Sequence, residues 1–351
     1  MKTFNLDDLI RQNIRDLQPY RCARDDFDSG ILLDANENSF GSLVPSNLEL
    51  NRYPDPYQNK LRDAVATFRD VSRDQVFMGS GSDEAIDLII RAFCEPSQHS
   101  ILITPPTYGM YKVSASINNN AVISVPLDTD FQLRPDEVLT KADDSTKLIF
   151  LCSPNNPTAN LLKKDDMLMI IDQFKGIVVV DEAYIDFCED CTLVGELKNY
   201  PNLIILQTLS KAFGMAGARL GIAIASKEII SVILKIKAPY NINKLTAQAG
   251  LQAFDQLGQM RNTVKKILDE RERLIQEFNT LAGITKVFPT DANFILIRLA
   301  NAKKVYNDLA KRGVIVRYRG DQIHCQETLR ITVGTREENN NLLDNLRQLL
   351  S

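Results

Sequence analysis

The chain has 351 residues, 44% hydrophobic and 25% charged, the composition of an ordinary soluble globular protein with room for a sizeable core and two domains. Its 41 basic residues against 45 acidic ones leave a net charge of −4, which offers no electrostatic footprint for nucleic acid or an anionic membrane. No apolar run approaches the roughly 18 residues of a membrane span. The amino terminus, MKTFNLDDLIRQNIRDL, carries Asp7, Asp8 and Asp16 where a signal peptide needs an apolar segment, so a cytoplasmic protein is expected. Six cysteines are scattered, and only Cys188 and Cys191 form a CxxC, in an acidic loop. Zinc would need two further ligands nearby, and the chain has only His99 and His324. The thiols are therefore expected to be reduced and structural, with no metal site.

In chain order, the first informative stretch is MGSGSDEAIDLIIRAF at 78–93, a Gly/Ser loop opening an amphipathic helix with Ser80 or Ser82 as N-cap. Such a terminus can bind an anion, although an ordinary capped helix reads the same way, and no strand of convincing length precedes it. Aliphatic runs then recur: SILIT (100–104), KLIFLCS (147–153), GIVVVDEAY (176–184) and NLIILQTLS (202–210), with a helical pattern at 161–174. Continuous rather than alternating apolar runs are what strands buried on both faces look like, and strand–helix–strand order predicts a mostly parallel sheet covered by helices. Beyond about residue 240 the texture changes. A long charged helix (roughly 256–282) leads to ANFILIRL, a short helix, GVIVRY, LRITVG and a terminal helix from about 335, which predicts a smaller α+β domain. The organisation expected is an arm at 1–40, a large domain at 41–240 and a small domain at 241–351.

In a parallel α/β sheet, ligands gather where the strands end at their carboxyl edge. The four runs are followed there by Tyr108, by Asn156, by Asp181 and Tyr184, and by Ser210 and Lys211. Each alone has a plain structural reading: a turn tyrosine, an Asn-Pro turn, a helix cap, a solvated lysine. Their joint placement at equivalent strand ends points instead to one site. A lysine amine, a carboxylate, an aromatic plate, a phenol and an anion-binding helix terminus, with Arg219 as a nearby cation, match what pyridoxal phosphate requires.

LDANENSFG (33–41), NRYPDP (51–56), GSGSDEAIDL (79–88), PTYGMY (106–111), SPNNPT (153–158), VVDEAYIDF (179–187), TLSKAFGMAGARLG (208–221), PYNIN (239–243) and LRITVGTREEN (329–339) run in this order over nearly the whole chain. With these segments the sequence resembles the fold-type-I pyridoxal-phosphate aminotransferases, and within them the histidinol-phosphate branch. The resemblance implies that Lys211 is the Schiff-base lysine and the base that moves the α-proton, and that Asp181 is the partner of the pyridinium nitrogen. It places Asn156 and Tyr184 at the ring hydroxyl and Tyr108 stacked on the ring. Ser82, Asp83, Ser210 and Arg219 fall in the phosphate cup, with Tyr53 reaching the neighbouring subunit's phosphate in a homodimer with shared sites. Tyr20, Asn36, Arg317 and Arg330 fall at positions that contact the substrates, histidinol phosphate and glutamate or 2-oxoglutarate.

Two departures stand out: Ala159 where the family usually has glycine, so that this residue is expected to avoid positive φ, and Ser39 where members often have proline. Aromatic amino-acid aminotransferases and threonine-phosphate decarboxylase share the cofactor residues, so ring chemistry alone does not separate them. A non-catalytic regulatory module of the same fold is disfavoured by the presence of both Lys211 and Asp181.

Overall fold

The computed structural model describes residues 4–27, 29–188 and 190–350 and arranges their strands in two sheets. The larger holds β1 (Val76–Ser80), β2 (Ser100–Ile103), β3 (Ala121–Ser124), β4 (Thr146–Cys152), β5 (Ile177–Asp181), β6 (Leu203–Thr208) and β7 (Leu220–Ala225), in the order β1-β7-β6-β5-β4-β2-β3. From β6 to β3 all neighbours are parallel, and β7 is antiparallel to both β6 and β1. The smaller sheet is antiparallel, with β8 (Ile284–Val287), β9 (Phe294–Leu299), β10 (Arg317–Tyr318) and β11 (Thr328–Thr332) in the order β10-β11-β9-β8. The expected architecture, a mostly parallel sheet covered by helices plus a smaller α+β unit, is the one observed.

Period-two geometry explains the continuous apolar runs. In β4, Ile149 and Leu151 point into one core with Val178, Val180, Leu203 and Ile205, while Leu148 and Phe150 point into the other with Val179, Ile204 and Leu206. Both faces are covered, so neither can be polar. The smaller sheet is covered on one face by the helices Leu257–Thr280, Ala302–Lys311 and Arg336–Leu350, through Leu274, Phe278, Leu309, Leu342 and Leu346. A bridging cluster of Ala159, Tyr184, Phe187, Val264 and Phe294 ties the end of the larger sheet to β9 and the long helix.

Register then assembles the carboxyl edge. Cys152 pairs with Asp181, and Asp181 with Leu206, so the loops beginning at Ser153, Glu182 and Leu209 leave the sheet side by side. β7 returns antiparallel, with Gly221 opposite Gly79 and Leu220 opposite Ser80, which lays Arg219 against Gly81.

Four expectations need correction. A strand, β1, does precede the Gly/Ser loop; Gly79 and Ser80 are poor strand formers, and β7 supplies the pairing that holds them. The helix Ser82–Phe93 has Gly81 as its N-cap, with no side-chain cap bond, so neither Ser80 nor Ser82 caps it. Ala159 sits at φ 71 despite its side chain. Left-handed backbone costs an alanine about 1–2 kcal/mol. The conformation is held by Ala159 N–H donating to the Asn155 carbonyl and by Asp291 N–H donating to the Ala159 carbonyl, each at 2.8 Å, with the methyl fully buried. Finally, Cys188 and Cys191 are joined in a disulfide. Their Cα atoms are 5.8 Å apart, and immediately after Cys191 the chain is held by Thr192 and Leu193 donating to Glu182.

The close approach of β7 to the Gly81 turn leaves no space for a side chain at Gly221, whose Cβ would collide with the backbone of Gly81 and Ser82. Gly221→Ala is expected to lower stability by about 1–3 kcal/mol, the cost of overpacking against atoms that cannot move aside. Thermal unfolding measures it.

Candidate active site

Asp181 ends β5 with its carboxylate sealed from water. Burial pushes its pKa up to about 6, against the opposing effect of the Tyr111 hydroxyl, which donates to Oδ2 at 2.6 Å, and of Ala183 N–H, which donates to Oδ1 at 3.1 Å. Lys211 follows β6 across the same edge, with Nζ 5.4 Å from the centre of the Tyr184 ring. Burial and then the charge of Arg330 lower its pKa, with Arg219 adding to the effect and Asp181 opposing it. A buried acid shifted up beside an amine shifted down is the kind of perturbed pair that marks a candidate functional site.

Around them Asn156, buried, donates to the Tyr184 hydroxyl at 3.3 Å. Its carbonyl oxygen accepts a hydrogen bond from Arg330 of β11. Arg330 also lies 5.3 Å from the centre of the Phe294 ring, so the smaller sheet delivers its cation directly to the end of the larger one. Burial raises the Tyr184 pKa well above its ordinary value and keeps the phenol protonated.

A second group adjoins the first. Tyr108 donates to Asp83 Oδ1 at 3.0 Å, and Arg219 donates to Asp83 Oδ2 at 3.2 Å. The Arg219 guanidinium fills the space that a side chain at Gly81 would occupy. Thr208 Oγ1 donates to Ser210 Oγ at 2.9 Å. Ser82 and Asp83 form the first turn of a 12-residue helix whose N–H groups lack a side-chain cap. Free N–H groups, hydroxyls and a guanidinium around side-chain-free glycines make an anion cradle.

Three predicted residues lie elsewhere. Tyr53 stacks on Tyr240 at 4.5 Å, and with Asn36, Asn243 and Lys244 it lines a separate cleft of about 440 Å³. Tyr20 is 74% exposed. Arg317 is directly opposite Arg330 in the β10–β11 register, on the same face. Two residues were missed by sequence reasoning. Tyr111 lies in the first turn of the helix Met110–Ile117, just after the loop that carries Tyr108, and reads in sequence as a core aromatic. Arg319, two residues after Arg317, has a buried Nε with no hydrogen-bond partner among the described residues, and burial together with Arg317 lowers its pKa.

The chain belongs to the class I and II aminotransferases, whose family model matches residues 29–346. It is 51% identical to a histidinol-phosphate aminotransferase from Cytophaga hutchinsonii, over 98% of this chain and 99% of the relative. The structure matches a histidinol-phosphate aminotransferase from Clostridium acetobutylicum with a TM-score of 0.79 and 29% identity, over 86% of this chain and 91% of the other. It also shares its fold with a histidinol-phosphate aminotransferase from Sinorhizobium meliloti in complex with pyridoxal-5'-phosphate, at a TM-score of 0.78 and 20% identity, over 90% and 89% of the two chains.

Pyridoxal phosphate is the cofactor of the family, and the residues present fit it. The cradle around Gly81 suits its phosphate, the sealed carboxylate of Asp181 suits a protonated ring nitrogen, and Lys211 is an amine whose proton is held loosely. Because Arg330 is the largest charge acting to lower the Lys211 pKa, Arg330→Gln should raise it. The neutral, reactive amine then appears only at higher pH. The pH midpoint of Lys211 modification by an amine-specific reagent, followed by peptide mass spectrometry, should move to higher pH in the variant, with a slower rate at any pH below it.

Proposed function

We propose that this protein transfers an amino group between L-histidinol phosphate and 2-oxoglutarate, giving imidazole-acetol phosphate and L-glutamate, in the cytoplasmic biosynthesis of histidine. Bound pyridoxal phosphate supplies an aldehyde that takes the amino group and a ring that accepts the electron pair left when the α-proton departs. Lys211 anchors that aldehyde and, once displaced by substrate, takes the proton from the α-carbon; its lowered pKa makes the neutral amine accessible. Asp181 holds a negative charge against the ring nitrogen, Asn156 and Tyr184 orient the ring hydroxyl, and Tyr108 lies against the ring. Ser82, Ser210, Arg219 and the backbone N–H of Asp83 hold the phosphate, while the Asp83 carboxylate orients Arg219 and Tyr108.

The observation that carries the choice of substrate is the cluster of Arg317, Arg319 and Arg330, none of which has an ion-pair partner among the described residues. Like charges directly opposite on one face of a sheet destabilise it. Two or three uncompensated guanidiniums suit a phosphate dianion better than a single carboxylate. Cytoplasmic location rests on the character of the amino-terminal segment and on the metabolic reaction proposed; four thiols are free and buried, while Cys188 and Cys191 are paired. Arg330 serves both substrates, whereas Arg317 serves the phosphate ester. Arg330→Ala should therefore impair both half-reactions, and Arg317→Ala should impair the half-reaction of histidinol phosphate by about ten- to a hundredfold while sparing glutamate, as expected for losing a contact of roughly 1.5–3 kcal/mol. Single-turnover kinetics with each substrate tests this, with Lys211→Ala as the inactive reference. Equal losses, or a wild-type preference for phenylalanine or tyrosine, would instead favour an aromatic amino-acid aminotransferase.

We also propose a homodimer whose sites are shared, with Tyr53 lent to the phosphate of the second subunit. Tyr53 and Asn36 lie in a cleft apart from Lys211, and the same arm leaves Phe27, Ile31, Phe40 and Leu43 at least 72% exposed, a run of apolar surface that needs a partner. Mixing Tyr53→Phe subunits with Lys211→Ala subunits tests it. Each homodimer carries a lesion in both sites, whereas the heterodimer has one intact site and one with both lesions. Activity should rise on mixing; no recovery, or an active monomer in sedimentation, would refute sharing.

A further inference from the structure

Tyr111 is fully buried, in the first turn of the helix Met110–Ile117, and nothing in the proposed chemistry uses it. Its ring stacks on Phe150 at 4.8 Å and meets Tyr108 edge-on at 5.6 Å, contacts that a phenylalanine would make equally well. The hydroxyl is the exception. A hydroxyl placed in a core without water needs a partner, and here that partner is Asp181 Oδ2, at 2.6 Å.

The surroundings of Asp181 show how much depends on this one donor. Ala183 N–H, the other direct donor, is neutral and longer at 3.1 Å. From the neighbouring strand, Cys152 stands opposite with its thiol kept protonated by burial. Tyr108 and Tyr184 are likewise held protonated by burial. Asp83 acts on Asp181 from the helix Ser82–Phe93 with a like charge, and Lys211 with an opposing one.

We propose that Tyr111 is a positioning residue of the transamination site: its phenol anchors one oxygen of the Asp181 carboxylate and supplies the strong donor that a sealed negative charge requires, a role that rests on the assignment of the site above. The carboxylate is thereby fixed in one orientation, with its remaining lone pairs free for the ring nitrogen. Even with both hydrogen bonds, burial leaves Asp181 titrating at about 6. A hydrogen bond to a charged group corresponds to about one to two pH units of protection. Without it, the acid of the cofactor-free chain moves towards neutrality, and in the holoenzyme the same lost donor raises the midpoint from the value that the ring nitrogen sets. The sign follows from the form that works: Asp181 acts ionised, so raising its midpoint moves the acid limb of activity upwards.

Tyr111→Phe removes the single oxygen and keeps the ring contacts. Two readouts are compared with wild type: the pH dependence of the glutamate half-reaction in the holoenzyme, and the carbonyl infrared band of the protonated Asp181 carboxyl in the full chain, assigned by its loss in Asp181→Asn. Both midpoints should rise by about one to two pH units, with the rate on the high-pH plateau largely retained. Unmoved midpoints, with or without a rate loss uniform across pH, would show that Tyr111 only packs and would overturn the proposal. If Tyr111→Phe does not fold, a fluorinated tyrosine incorporated at position 111 decides: the more acidic phenol donates more strongly and should lower the Asp181 midpoint, whereas an unmoved midpoint refutes the bond. Should the aminotransferase assignment itself fail, the wild-type half-reaction is absent while the infrared titration still reports on Tyr111 and Asp181.

Discussion

A carboxylate sealed from water at the end of β5 is the constraint on which the rest of the site depends. Burying a lone charge costs several kcal/mol unless donors and opposite charges compensate it. Asp181 receives Tyr111 and Ala183 N–H directly and Lys211 at longer range, and its pKa is still raised to about 6. The same burial acts on Lys211 with the opposite sign, because there it is the cation that loses solvation. Parallel pairing makes this economical: one register, with Cys152 beside Asp181 beside Leu206, brings the loops bearing Asn156, Tyr184 and Lys211 to one edge.

The second sheet supplies charge that the first cannot. Arg317 and Arg330 stand opposite each other in β10 and β11, and Arg319 follows on the same face, an arrangement that works against stability within that sheet. Partial relief comes from groups across the cleft. Arg330 reaches Asn156 of the larger sheet and lies over Phe294, within the same apolar cluster that holds Tyr184. The bridging cluster thus fixes the distance between the arginines and Lys211, and an anion held by those arginines is held at a set distance from the amine.

Much of this was legible in the chain. The buried strands declared themselves as continuous apolar runs, and polar residues at their ends marked the edge where Lys211, Asp181, Asn156 and Tyr184 meet. What escaped has a common cause, dependence on contacts far apart in sequence. β1 contains Gly79 and Ser80 and is a strand because β7 pairs with it. Tyr111 reads as a core aromatic, and it is one; its second role exists only through a partner 70 residues away. Ala159 follows its local neighbours into positive φ because Asn155 and Asp291 hold its backbone there. The spacing of Cys188 and Cys191 was visible, but spacing alone does not say whether the two thiols are joined.

Glu182 also shows why two consecutive acids take different roles. Successive side chains leave a strand on opposite faces, so Asp181 turns towards Lys211 and Glu182 away from it. Burial raises the pKa of both. Glu182 is enclosed by donors: Thr192 and Leu193 at 2.6 Å each and Gln207 at 2.8 Å, with Gln207 in turn accepting from Arg69 at 2.7 Å. Arg69 continues the network to Asp186 at 2.5 Å, beyond Tyr184 in the chain. With three donors already on it and its side chain sealed from water, this carboxylate is committed to its own loop, and it braces the segment that carries Tyr184. Asp181, held by two donors, retains lone pairs for a third. The difference between brace and reactive group lies in the number of partners already in place, since residue type and depth of burial are nearly the same.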